Sequence, residues 1–409
     1  MVSLVMLAVM AGCAVFLFLK GTIAQGIAMI FNALIAGFAA FGFYEWTADY
    51  LVKYSPGVAI WAPMICFLLL FVLIFAVLQA VAMQISKEKI DFGKLPEQIG
   101  RPVTGIILGY IVTGHLLVAV AMAPIPSQYP YLRFEERNPN PSSPSKPLLS
   151  PDGFVAGLFG TVSTGSLCPF GEPKSFAMFH AGFLDQLHLN RLGGKDVSLM
   201  TETPAIVVPP KNGVWDAPEN LRDSENKPVS PQAGRNLMLV HVEIRKSALK
   251  DAAKFTLGQL RLVCGPKAGT AHPLGAKGEA VYPVGYIGSG GRIETKSLAE
   301  VIVVDPAKVT GDSLVIDLAF QVPTNLVPVL VEFKRNNVAK VSSPASPEDA
   351  PQPTPFGAAA AQHQARTQTE SPTDPSAESG QTPPPDRQKR GRGRSDITRS
   401  VTGDMDDEN

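Results

Sequence analysis

The chain has 409 residues, 36 basic and 36 acidic, so its formal net charge is zero, and 45% of it is hydrophobic. Balanced charge gives no general reason to expect nucleic acid or another polyanion as partner. Such averages describe no single domain. Composition instead divides the chain into an apolar region at 1–125, a Pro-rich linker at 126–150, a mixed helix and loop lead-in at 151–235, a strand-rich region at 236–341 and a polar tail at 342–409.

Four apolar stretches fill the first region, at 4–19, 22–44, 57–85 and 103–125. The third, GVAIWAPMICFLLLFVLIFAVLQAVAMQI, carries no ionisable side chain, and a bilayer core needs only about 20 such residues. The expected fold is therefore a four-helix membrane bundle, with short links that favour antiparallel neighbours. Within the first stretch Met10-Ala11-Gly12-Cys13 loosely resembles a lipid-attachment box. No basic residue precedes it and the apolar run continues through AVFLFL, so Cys13 reads as a packing residue.

Lys and Arg near the membrane ends set the orientation. Lys20, Lys87, Lys89, Lys94 and Arg101 collect on one face, against Lys53, Arg133 and Arg137 on the other. The first face is expected to be cytoplasmic, which places both termini and everything after Ile125 outside the cytoplasm. At membrane depth the amide and imidazole side chains are Gln25, Asn32, Gln79 and His115. Asn32 and His115 read first as interhelical hydrogen-bonding groups. Their alternative role is to line a path through a small transporter or channel subunit. Gly105 and Gly109, with Gly114 beyond, and Ala33 and Gly37 in the second stretch, set small residues on helix faces where backbones can approach closely.

These features together resemble the colicin V production protein family. They are a short first span, the Lys20-Gly21 turn, a second span ending in Phe41, Phe43, Tyr44 and Trp46, a very apolar third span, a basic loop and a glycine-rich fourth span. Members often carry a basic residue inside the fourth span before its last glycine, where this chain has Val112 and Thr113. The resemblance covers less than a third of the chain. It implies a bacterial inner-membrane protein linked to toxin export or envelope maintenance, and it transfers no catalytic residues.

Beyond the bundle, PIPSQYPY and NPNPSSPSKP form an extended spacer, since closely set prolines fix φ and remove donors. Ser150-Pro151 starts a helix, whose apolar face has two candidate partners, the bundle and the later domain. A second helix is expected over SFAMFHAGFLDQLHLNRL, capped at Gly193-Gly194. From Asn236 the pattern turns to strands: NLMLVHVEIRK, LGQLRLVCG, EAVYPVGYIG, AEVIVVD, DSLVIDLAFQVP and VPVLVEFKR. Six or seven of these point to an antiparallel sandwich. The closing LVIDLAFQVPTNLVPVLVEFKRNNVAKV resembles the last strands of extracytoplasmic immunoglobulin-like modules.

Catalytic patterns are not found. His180 and His188 flank Asp185 two helical turns apart, without a completing HExxH or cysteine pair. Gly288-Ser-Gly-Gly lacks the Lys-Ser/Thr of a phosphate loop and reads as a hairpin turn. Ser163, Ser166 and Ser289 have no nucleophile-elbow context. No enzyme, cofactor or metal is expected. Cys168 and Cys264 lie outside the spans, and an oxidising compartment would permit them to pair. The tail from Ser342 is too polar to fold, and its basic block at 387–394 suits anionic headgroups. The expected partners are membrane lipids, further copies of the chain or other envelope proteins. The expected function is a non-enzymatic anchor for a periplasmic β-domain.

Overall fold

The computed structural model describes residues 2–85, 93–164, 174–267, 273–309 and 311–357. It opens with α1 (Val2–Lys20), α2 (Ile23–Tyr54), α3 (Ala62–Ile85) and α4 (Lys94–Met122), all long and apolar enough to cross a membrane. Thr22 and Gln25 start α2 with a reciprocal capping box. With no breaker before Ser55-Pro56, α2 runs ten residues beyond the expected end at Tyr44 (54 minus 44) and carries Glu45 and Asp49.

The fourth helix starts at Lys94, nine residues before the expected 103, and passes through Pro102. Glu97 supports this extra length. Its carboxylate pairs with Arg101 at 2.6 Å and accepts the Ile23 N–H at 3.3 Å, where negative charge suits the start of α2. The helix ends at Met122 rather than 125 because Pro124 holds Ala123 in an extended conformation. Of the four, α4 is the most buried and α1 and α3 the most exposed.

The linker, expected as an extended spacer, is instead a series of turns that fold back on themselves, with Ser145 N–H donating to Arg133 O at 2.8 Å and Arg133 and Phe134 buried. Then come α5 (Pro151–Ser163), α6 (Phe176–Phe179) and α7 (Phe183–Leu189). The single helix expected over 175–192 is two, because Gly182 takes φ +62° and turns the chain between them.

The rest is β-rich. Strands β1 (Ile206–Val207), β2 (Val214–Asp216), β3 (Arg235–Arg245), β4 (Lys254–Thr256), β5 (Leu260–Pro266) and β6 (Glu279–Val281) come first. They are followed by β7 (Pro283–Ile287), β8 (Ile293–Glu294), β9 (Val301–Val303), β10 (Ser313–Pro323), β11 (Leu326–Phe333) and β12 (Asn337–Lys340). All ladders are antiparallel. One sheet has the order β1-β3-β10-β7-β8 with β2 also on β3; a second has β12-β11-β5-β6; β4 and β9 pair separately. The run EAVYPVGYIG, expected as one strand, divides at Pro283 between the two larger sheets.

Side chains from both larger sheets share one apolar core, among them Val240, Ile244, Leu318 and Phe320 from one and Leu262, Val331 and Phe333 from the other. The outer face of the four-stranded sheet is covered by Met178, Phe179 and Ala181 at α6. In turn Phe183, Leu184 and Leu187 of α7 join the core of the helical bundle. The layers thus run bundle, lead-in helices, four-stranded sheet, six-stranded sheet.

The tail is expected to be unpacked from Ser342, but its first part lies on the six-stranded sheet. The Ala345 N–H donates to Val214 O and the Phe356 N–H to Ile287 O. Asp317 and His241 face one another across β10 and β3 at 2.6 Å, and the second Asp317 oxygen accepts the Thr354 N–H at 2.5 Å. The basic block at 387–394 lies outside the described residues.

Candidate functional site

Beside Glu45 of α2 and the C-terminal end of α4, charged side chains from distant parts of the chain converge. Glu45, one residue past Tyr44, accepts from the Tyr44 hydroxyl at 3.0 Å and pairs with His180 Nε2 at 3.1 Å. His180 follows α6, its N–H bonded to Phe176 O at 2.8 Å and its ring against Phe176 and Phe183. Burial alone would lower this imidazole; the Glu45 carboxylate outweighs burial and holds it above its ordinary value.

Behind His180, Arg261 of β5 and Glu332 of β11 are register partners and bond at 2.6 Å. Arg261 also donates to Phe179 O at 3.1 Å and to Ala181 O, while Gln186 of α7 donates to Glu332. The pair therefore grips the α6–α7 turn against the sheet. Burial raises the Glu332 carboxyl, and Arg261 and His180 offset only part of that rise.

Two arginines reach the C-terminal end of α4. Arg335, just past β11, donates to Met122 O at 2.9 Å, satisfying a carbonyl that the end of a helix leaves without a partner. Arg191 lies 3.5 Å from Ile125 O, and burial first, then Arg335, pulls its guanidinium down to about 10.

A second chain of contacts fastens the linker. Arg133 pairs with Asp185 of α7 at 2.6 Å and donates to the Tyr131 hydroxyl at 3.1 Å, and Tyr131 donates to Asp152 in the first turn of α5. His188 packs on Tyr131 and accepts from Arg191 at 3.3 Å. Burial, then Arg191 and Arg133, push it down to about 2, so it is neutral at any ordinary pH. His180 and His188 thus serve separate contacts and do not share a ligand.

The residues singled out from the sequence lie mostly below this cluster. A Cβ added at Gly105 would stand 2.5 Å from Ala14 Cα, and one at Gly109 would stand 2.6 Å from Met10 Cα, so both glycines bring α4 onto α1. Gly114 faces a different element, the Pro151 carbonyl of α5. Gly37 makes room for the His115 ring, which donates from Nδ1 to Ile111 O at 2.8 Å and stacks on Phe71. Ala33 is fully buried, and Asn32 donates to Gln79 of α3 at 3.1 Å. Cys264 is a free buried thiol pushed up to about 12, first by burial and then by Glu279; Cys168 lies outside the described residues.

Sequence reasoning missed Glu45, Asp152, Arg261, Glu332 and Arg335. Arg261 and Glu332 alternate with apolar neighbours in LRLV and LVEF, a pattern that reads as a solvated strand face. Their only signal was a charge in an otherwise apolar run. Chemically, these groups neutralise one another and close the gaps between layers. Among the described residues no group of three or more His, Cys, Asp and Glu could hold a metal ion. Comparison with family models, curated proteins and solved structures matches none of them to this chain.

Proposed function

We propose that the protein is a non-enzymatic membrane holder of the colicin V production type, whose four-helix anchor presents a β-domain outside the cytoplasm for envelope organisation or as an accessory to export. The observation that carries this reading is the Glu45–His180 pair at 3.1 Å with Arg335 on Met122 O at 2.9 Å. Charges from the β-region and lead-in are matched to Glu45 within α2 and to the C-terminal end of α4, which suits a rigid mount better than a tethered domain. The shared core of the two larger sheets supports a sandwich of immunoglobulin-like kind. Lys20, Lys94 and Arg101 at the opposite ends of the helices support the external placement of the sheets.

The alternative, a channel or transporter path past Asn32 and His115, would have to open where Phe41, Phe67 and Phe71 enclose His115, which is 2% exposed. A reporter active only outside the cytoplasm tests the holder reading. Fused after Val341 it is expected to be active, and fused at Lys94 it is expected to be silent. The reverse pattern sinks the external placement.

A further inference from the structure

We infer that residues 147–159 form a re-entrant membrane element whose exposed side chains Leu148, Leu149 and Phe154 lie against lipid acyl chains. This rests on the reading that α1–α4 span a membrane. Two markers set the level of the bilayer along the bundle. At one end Ile23 of α2 packs on Gly100 of α4, close to Lys20 and Arg101. A hydrocarbon core of about 30 Å takes about 20 helical residues from there, to about Phe43 on α2 and Val120 on α4. At the other end Trp46, Tyr50 and Tyr54 form an exposed aromatic row along α2, with ring centroids 6.4 and 4.9 Å apart. Such rows sit at headgroup level. Phe43 and Trp46 are one turn apart, so the two markers agree.

On that scale the start of α5 is deep. The Pro151 carbonyl covers Gly114, and the Tyr110 hydroxyl donates to Leu149 O at 3.0 Å. Gly114 and Tyr110 stand six and ten residues below Val120 on α4, about 9 and 15 Å at the helical rise. The turn at Leu149-Ser150 therefore reaches about the middle of the hydrocarbon layer. Positive φ at both residues reverses the chain there and sends it into α5.

The chemistry of the segment fits this depth. Leu148, Leu149 and Phe154 are 49, 64 and 45% exposed, and Phe154 packs beside Tyr110 on the same side as the exposed Ile106 and Ile107. Irregular backbone at membrane depth needs protein partners for its polar groups. Pro144, Pro147 and Pro151 bring no N–H, Ser150 N–H donates to Pro147 O, and Phe154 N–H donates to Ser150 O. Asp152 is turned inward, 1% exposed, onto the Tyr131 hydroxyl. Lys146 is exposed, with a stem long enough to carry its ammonium toward the headgroups.

The full chain, reconstituted in phosphatidylcholine vesicles containing a phospholipid with a diazirine in mid-acyl chain, is photolysed and its adducts are mapped by mass spectrometry. Adducts on Leu148, Leu149 or Phe154 are expected within about threefold of the yield on Leu69, Leu73 and Val77 of α3, with background only on Val301 and Val303. Labelling of α3 with background on 147–159 overturns the re-entrant element alone. Background on both α3 and 147–159 overturns the spanning reading, and the element with it.

Discussion

At His180 two opposing effects act on one imidazole. Burial disfavours its charged form, and the Glu45 carboxylate 3.1 Å away favours that form more strongly, so the folded protein binds the proton more tightly than the unfolded chain does. The stability from this pair is then fully present below the ordinary histidine value and is lost as pH rises through the raised folded value. Because the Glu45 side chain is 39% exposed, solvent screening limits the contribution to about 1 kcal/mol. His180→Gln is expected to lower unfolding stability in detergent at about pH 5.5 and to match the parent at about pH 9. A deficit independent of pH would show that the ring acts by packing alone. The sequence shows His180 only in relation to His188, which is near in the chain. Its true partner sits on another element far away, and nothing local marks the two as a pair.

Among the elements, the glycine spacing of α4 was legible and its partners were not. A four-residue interval says which face is small, but it cannot say which helix comes to it. Gly105 and Gly109 meet the backbone of α1, whereas Gly114 falls five residues after Gly109, on another face, and meets α5. Leucine at both 105 and 109 would force α1 away, and such overpacking costs about 1–3 kcal/mol. The Gly105→Leu/Gly109→Leu variant is expected to unfold at lower temperature in detergent. Ile107→Leu, at a position 43% exposed, is expected to behave like the parent. Since α1 belongs to the same chain, the mass in solution should stay the same; unchanged stability would mean that these glycines face lipid. The strands show a related limit. β10 was readable from its apolar content, but Ser313 to Val322 are all buried because both faces of its sheet are covered, so alternation could not reveal which side met which layer.

For the whole molecule, composition placed the helical and β-rich regions in the right order. It left open whether the lead-in packs on the bundle or on the later domain. The lead-in does both, with Phe183, Leu184 and Leu187 in the bundle core and Met178, Phe179 and Ala181 under the four-stranded sheet. Both sides of α6 and α7 are apolar, so neither could be chosen from pattern alone. The consequence is a β-region mounted on the four long helices through an apolar layer and the charge pairs around His180 and Arg261. The most direct test is the distance between spin labels carried by unnatural amino acids at positions 54 and 303, both exposed, one at the end of α2 and one on β9. In liposomes, double electron–electron resonance should give one narrow distance distribution, and a broad distribution would contradict the rigid mount.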